Sequence, residues 1–259
     1  MNLRSVPDIL NKYAEFSKED WRNIGITVVL TAFFFSFNDW GDSTFEVGVG
    51  LAYFIQALAI AFVVITLHHG TQRVFGFRDG IATEFGIWWW GIIIGLIVSV
   101  ASLGTFSFLG CTSTEVATNK RMRLHRWRPF AGVREFSHVA IAGNLTVAIA
   151  VAAVVTMRTA LQEILSPALI TFCENFAIFG LLFMFCNLFP IPPLDGSKII
   201  FASRSLYIMV FTADIIFTVL VLGLGTKFVT APLIALLIAF ILGTTAWFVH
   251  YFNYEQKDS

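Results

Sequence analysis

Residues 86–110 read GIWWWGIIIGLIVSVASLGTFSFLG, and how this stretch sits decides the topology of the whole chain. Its length suits a membrane crossing, which takes about 20 mostly apolar residues for a hydrocarbon core about 30 Å thick. Its composition argues otherwise. Gly86, Gly91, Gly95, Gly104 and Gly110 interrupt it, and Trp, Ile, Val, Thr and Phe supply much of the rest. Glycine at that density weakens a helix, whereas β-branched and aromatic residues suit strands. Two readings compete: a span, or a re-entrant β-rich hairpin that enters the membrane and returns to the same side.

The basic residues choose between them. Five other runs are long and apolar enough to cross, at about 47–67, 138–157, 169–189, 206–225 and 229–253, and a shorter sixth at 24–37 extends to Trp40. Arg4, Lys12, Lys18 and Arg22 place the N-terminus in the cytoplasm, so the loop 38–46, with Asp39, Asp42 and Glu46 and no Lys or Arg, lies outside. If 86–110 spanned, the most basic loop (Lys120, Arg121, Arg123, Arg126, Arg128, Arg134) would face outward, against the positive-inside rule. If it is re-entrant, all 17 basic residues except Arg158 and Lys227 lie inside. The re-entrant reading gives an all-α polytopic membrane protein with six transmembrane helices, both termini cytoplasmic. A cytoplasmic amphipathic segment, 1–23, precedes one membrane domain, 24–253, which holds the re-entrant segment 86–110 and a basic cytoplasmic loop 111–137; a tail, 254–259, follows. Non-helical backbone at membrane depth must be covered by protein or line a wet cavity.

Composition excludes a soluble fold. Hydrophobic residues make up 57% of the 259 and charged residues 13%, against roughly 25% charge in ordinary domains, and mean hydropathy is +0.76. The formal net charge of zero gives no support to a nucleic-acid partner. Cys111, Cys173 and Cys186 are odd in number, lack metal-ligand spacing and read as small packed hydrophobes. Residues 1–23 are polar and do not form a signal peptide.

Two irregular helix ends fall on the cytoplasmic side in this topology. His68-His69-Gly70-Thr71-Gln72-Arg73 ends the second span, and Asn187-Leu188-Phe189-Pro190-Ile191-Pro192-Pro193-Leu194-Asp195-Gly196 ends the fourth. The second stretch resembles the Asn-x-x-Pro-x-Pro-x-Leu-Asp-Gly signature of the site-2 protease family of intramembrane zinc metalloproteases. The first stretch occupies the place of that family's His-Glu-x-x-His. Arg78, Gly80, Glu84-Phe85, the glycine-rich segment and Ala142-Gly143-Asn144 (for Ala-Gly-Pro) continue the resemblance in order, over about residues 45–205.

The resemblance implies a zinc site made by two histidines at i and i+4 and the aspartate of Leu-Asp-Gly, with glutamate as general base. Here His68 and Asp195 stand at ligand positions, Gln72 replaces the second histidine, and His69 replaces the glutamate. A neutral amide is a weak zinc ligand, and neighbours at i and i+1 diverge by about 100° on a helix, so His69 does not substitute for it. The expectation is a vestigial metal site in a catalytically silent pseudoprotease that binds a transmembrane or membrane-associated partner. Asn187, Pro190, Pro192 and Pro193 would then border the substrate-binding cleft. The alternative is an active intramembrane zinc metalloprotease with altered ligands, His69 acting as base; zinc is its cofactor. A small transporter is a weaker third reading, because the midplanes look apolar apart from Gln56, Asn175 and Asn187.

His125, His138 and His250 are chemically able to supply a missing ligand, but His138 reads as an interfacial residue opening the third span and His125 as solvated. Glu84 reads as a structural acceptor, and Glu174 and Asp214 as carboxylates near the outer and inner ends of spans. Met122, Leu124 and Trp127 interleave the basic cluster, which suits a segment lying on anionic lipid. The expected setting is an archaeal or bacterial cell membrane, with the lipid bilayer as the first partner.

Overall fold

A computed structural model describes residues 15–40, 45–78, 81–117, 133–224, 238 and 241–245. Helix α1 (Lys18–Phe35) starts at a capping box: the Ser17 hydroxyl accepts from the Asp20 amide at 3.1 Å, and the Asp20 carboxylate accepts from the Ser17 amide at 2.7 Å. Helix α2 (Val47–Arg78) is followed by strand β1 (Ala82–Ile87), helix α3 (Trp89–Ala101) and strand β2 (Thr112–Ala117). Helices α4 (Val133–Leu161), α5 (Pro167–Asn187), α6 (Asp195–Ala202) and α7 (Arg204–Leu224) complete the order.

Four helices are long and apolar enough to cross a membrane: Val47–Phe77, Val133–Leu161, Pro167–Asn187 and Arg204–Leu222. The protein is therefore mostly helical and membrane-associated, with a small two-stranded sheet. The run 24–37 overlaps α1, which ends at Phe35 and whose first turns carry Lys18, Glu19, Asp20 and Arg22, and α1 is not among the four. Most of 229–253 lies outside the described residues, as do 1–14, the loop 118–132 with Lys120 to Arg128, and the tail.

The segment 86–110 departs from its expected β-rich character. Its middle is helix α3, 13 residues or about 20 Å long by helical rise, and the strands lie at its edges. The glycines explain the difference. Gly91, Gly95 and Ser99 recur every four residues and form the buried face of α3. A side chain at Gly91 would put Cβ 2.2 Å from the Gly110 carbonyl oxygen, so the glycine permits a close approach instead of breaking the helix. Trp89 and Trp90 face outward. β1 and β2 pair antiparallel from Ala82↔Ala117 to Ile87↔Thr112, so the chain leaves and returns at one place.

The core lies where α2, α4 and α5 meet. Ile60, Ala61, Val64 and Ile65 of α2 pack with Val151 of α4 and Phe179 and Phe183 of α5, all without solvent contact. Alanines such as Ala61, Ala148 and Ala152 bring the helix axes close. A second correction concerns α2 itself. The helix does not end at His68 but runs on to Arg78, so the motif lies within it, about 15 Å before its end by helical rise. Likewise α4 opens at Val133, five residues before His138.

Candidate functional site

Three elements converge on one carboxylate, and a fourth braces them. In α2, His68 and Gln72 are one turn apart and share a face. Asp195 opens α6 just after the loop that carries the prolines, and Asn144 lies in α4. Gln72 Nε2 donates to Asp195 Oδ2 at 2.7 Å, His68 Nε2 lies 3.0 Å from the same oxygen, and Asn144 Nδ2 donates to it at 3.2 Å. Lys198, one turn along α6, donates from Nζ to Asp195 Oδ1 at 2.8 Å. Strand β2 adds to the network: the Thr114 hydroxyl donates to Gln72 Oε1. Relative exposure is 1% for His68, 0% for Gln72 and 3% for Asp195, so the cluster is sealed from solvent.

The partners fix the orientations. A carboxylate only accepts, so Gln72 must turn its NH₂ group to Asp195, and its carbonyl then receives Thr114. His68 carries its proton on Nε2 by the same reasoning, and its Nδ1 finds no partner among the described residues. His69 points elsewhere, as its i+1 position requires. Its Nδ1 lies 3.3 Å from Thr114 Oγ1 and its ring 4.5 Å from that of Phe85, while Nε2 has no partner among the described residues. Burial alone would raise the Asp195 carboxyl, but the Lys198 ammonium and the hydrogen bond from His68 outweigh it and hold the group well below the usual carboxylate range.

Gly143 makes this convergence possible. A Cβ there would lie 2.7 Å from Gln72 Cγ and 2.8 Å from His68 Nε2, so only glycine lets α4 reach α2 at this level.

The donor set bears on the zinc that the resemblance implies. A catalytic zinc site takes three protein ligands and leaves one position for water. His68 and Asp195 are ligands of the right kind. The third position presents an amide N–H, which is a donor, and an ammonium occupies the other carboxylate oxygen. Among the described residues no three His, Cys, Asp or Glu side chains converge.

Of the remaining expected site residues, Asn187 is buried at the end of α5. Its Nδ2 donates to the Phe183 carbonyl at 2.9 Å, and its Oδ1 accepts from Thr112 Oγ1 at 3.4 Å, which ties α5 to β2. Pro190 and Pro192 are exposed and Pro193 half-buried in the loop before α6, where the Pro192–Pro193 bond is cis. His138 is exposed on α4 and outside the cluster; His125 and His250 lie outside the described residues. Glu84 sits on β1 opposite Glu115, and Glu174 pairs with Arg158. Gln56 and Asn175, read as isolated polar residues, meet each other, Asn175 Nδ2 donating to Gln56 Oε1 at 3.4 Å. Asp214 is not near an end of α7 but at its eleventh residue of 21.

Arg73 builds a second buried assembly beside the first. Its guanidinium donates to the Glu15 carbonyl at 2.7 Å, to Asp20 Oδ2 at 2.8 Å and to the Thr83 carbonyl at 2.8 Å. Asp20 Oδ1 accepts from the Phe85 amide at 2.9 Å, and the Phe16 ring covers the guanidinium at 4.7 Å. Burial would raise the Asp20 carboxyl, but the Phe85 and Ser17 amides and Arg73 together lower it. This assembly fastens the start of α1 to β1, whose Phe85 also touches His69.

Asn144, Lys198 and Thr114 were not assigned roles from the sequence. The i+3 spacing of Lys198 from Asp195 was a readable signal; Thr114 was not readable, because only strand pairing brings it there. Compared with protein-family models, curated proteins and solved structures, the chain matches none.

Proposed function

We propose that the chain is a catalytically silent membrane protein of site-2-protease-like architecture that binds a transmembrane or membrane-associated partner without cutting it. The observation that carries this reading is the Gln72 amide, which turns N–H to Asp195 and C=O to Thr114. The hydrogen bonds of Gln72, His68, Asn144 and Lys198 all end on Asp195, and His69, at the general-base position, turns toward β2. Hydrolysis needs water activated by a metal with an open position, and the residues present do not fit such a centre. The proposal includes six spans with both termini in the cytoplasm of an archaeal or bacterial cell, and 86–110 as a re-entrant element. It also places the exposed Pro190 and Pro192 and the neighbouring Pro193 and Asn187 along the partner-binding cleft.

The test is elemental analysis of purified protein together with cleavage of a model transmembrane substrate. The expected results are substoichiometric zinc and no cleavage in the native chain. Stoichiometric zinc that disappears in Asp195→Ala would count heavily against the silent reading, and cleavage of the substrate would establish the alternative, an active zinc metalloprotease. The double variant His69→Glu, Gln72→His then asks whether the scaffold still supports the chemistry.

A further inference from the structure

Asp214 stands apart from everything above. With ten residues of α7 on either side, it lies about 15 Å from each end of the helix. In a hydrocarbon core about 30 Å thick, that is the midplane. Its side chain is inside the protein, at 5% exposure, between the buried Phe217 and Val221 on one side and the stacked Phe185–Phe211 pair on the other. Neither carboxyl oxygen has a hydrogen-bond partner among the described residues. Thr218, one turn along the same face, also has a buried hydroxyl without a partner among them.

The charge environment is equally bare. Apart from Arg204 at its first residue, ten positions away, α7 carries no Lys, Arg or His. On the facing helix α5, the titratable side chain within electrostatic reach is Cys186, which is no cation. Residues 241–245, which pack on α7 where Gly243 meets Met209 and Ala213, carry no charged side chain either, so a carboxylate here has no counter-charge among the described residues, and that state is strongly disfavoured. Something must neutralise it. A sodium or potassium ion needs a shell of several oxygen ligands, and the described side chains offer two carboxyl oxygens and one hydroxyl. A proton needs one oxygen. Ionisable groups buried at this depth are functional by default.

We propose that Asp214, with Thr218 beside it, is a mid-membrane proton-binding site. Uptake forms one O–H bond from a carboxylate lone pair and a hydronium proton and leaves water; release reverses this. Release creates the charge, so it requires α7 to part from α5 far enough for water to reach the carboxylate. The ligand is the proton, and this proposal is independent of the chemistry at Asp195.

Dicyclohexylcarbodiimide tests it. The reagent partitions into apolar regions and reacts with carboxyl groups that hold a proton: the proton passes to a reagent nitrogen, the carboxylate oxygen bonds to the central carbon, and rearrangement leaves the whole reagent attached. The full chain in lipid vesicles is treated and its peptides are weighed by mass spectrometry. The expected result is near-complete labelling of the peptide containing Asp214, unchanged by added sodium or potassium at constant pH and absent in Asp214→Asn. Glu174, ion-paired with Arg158, is the carboxyl of the native chain that should stay unlabelled, so the result does not depend on folding of the variant. Asp214 left as unlabelled as Glu174 at excess reagent would overturn the proposal. Suppression of labelling by sodium or potassium would overturn it too, in favour of a metal-cation site.

Discussion

Replacing Asp195 tests whether the cluster is held together by hydrogen bonds alone. In Asp195→Ala the amides of Gln72 and Asn144 lose their acceptor inside a sealed pocket, as does the Nε2–H of His68. Each stranded neutral donor costs about 1–3 kcal/mol. Asn144 Nδ2 keeps its bond to the Ala140 carbonyl at 3.0 Å, and the Lys198 side chain, at 15% exposure, is close enough to the surface to recover some hydration. Counting two amides and one imidazole at the lower half of that range gives a loss of about 4 kcal/mol, a large share of the 5–15 kcal/mol typical of a folded domain. Asp195→Asn keeps an oxygen for two of the donors and loses the charge that strengthens them, so its cost is about 2 kcal/mol. The measurement is equilibrium unfolding in mixed micelles with increasing dodecyl sulfate, followed by tryptophan fluorescence. The reasoning fails if Asp195→Ala lies within about 1 kcal/mol of the native chain. It also fails if a zinc chelator destabilises the native chain as much as the substitution does, because a metal would then be the centre of the cluster.

Gly143→Val should lower stability by about 1–3 kcal/mol through overpacking against His68 and Gln72; a thermal midpoint equal to the native one would show that α4 does not approach α2 as described. Arg73→Lys exchanges a fork that holds Glu15, Asp20 and Thr83 for a single ammonium, so amide exchange at Phe85 and Asp20 should quicken at least tenfold while exchange in α5 stays unchanged. Asp195 and Asp20 are both lowered in the folded chain, so the stability they contribute is complete above about pH 4, the ordinary carboxylate range, and declines as pH falls below it. Acid titration of unfolding should therefore be shallower in Asp195→Asn than in the native chain.

How much of this could be read from the sequence depended on whether a residue's partners were near it in the chain. The apolar runs that became α2, α4, α5 and α7 were legible because a spanning helix is specified by its own length and composition. His68 and Gln72 on one face, and His69 off it, followed from helical spacing alone. The segment 86–110 was misread for a physical reason: glycine and β-branched residues count against a helix only when its surroundings are neutral. Gly91 and Gly95 are where other backbone and ring atoms press against α3, so their value lies in tertiary packing. The end of α2 was misplaced because polar residues at 68–73 look like an exit from the membrane, whereas these side chains are buried against Asp195, Thr114, Asp20 and Thr83. Thr114 and Thr112 reach the cluster only through the register of β2 on β1, which no local pattern encodes.

The position of His68 within α2, and not at its end, also sharpens what the cluster can do. Polar groups placed that far along an apolar helix must satisfy one another, since neither lipid nor the packed core will do so. The network through Gln72, Asp195, Asn144, Lys198 and Thr114 meets most of that demand, leaving His68 Nδ1, His69 Nε2 and Asn144 Oδ1 without partners among the described residues, and it joins α2, α4, α6 and β2. Of these elements β2 borders 86–110 and α6 follows the proline loop, so Asp195 links that loop to α2. His68, Gln72 and Asp195 are 0–3% exposed, and the Asp195 carboxylate already lies against four nitrogen atoms. Under the proposed partner-binding function, Asp195→Asn, by loosening the network without emptying it, should weaken partner binding at the proline loop.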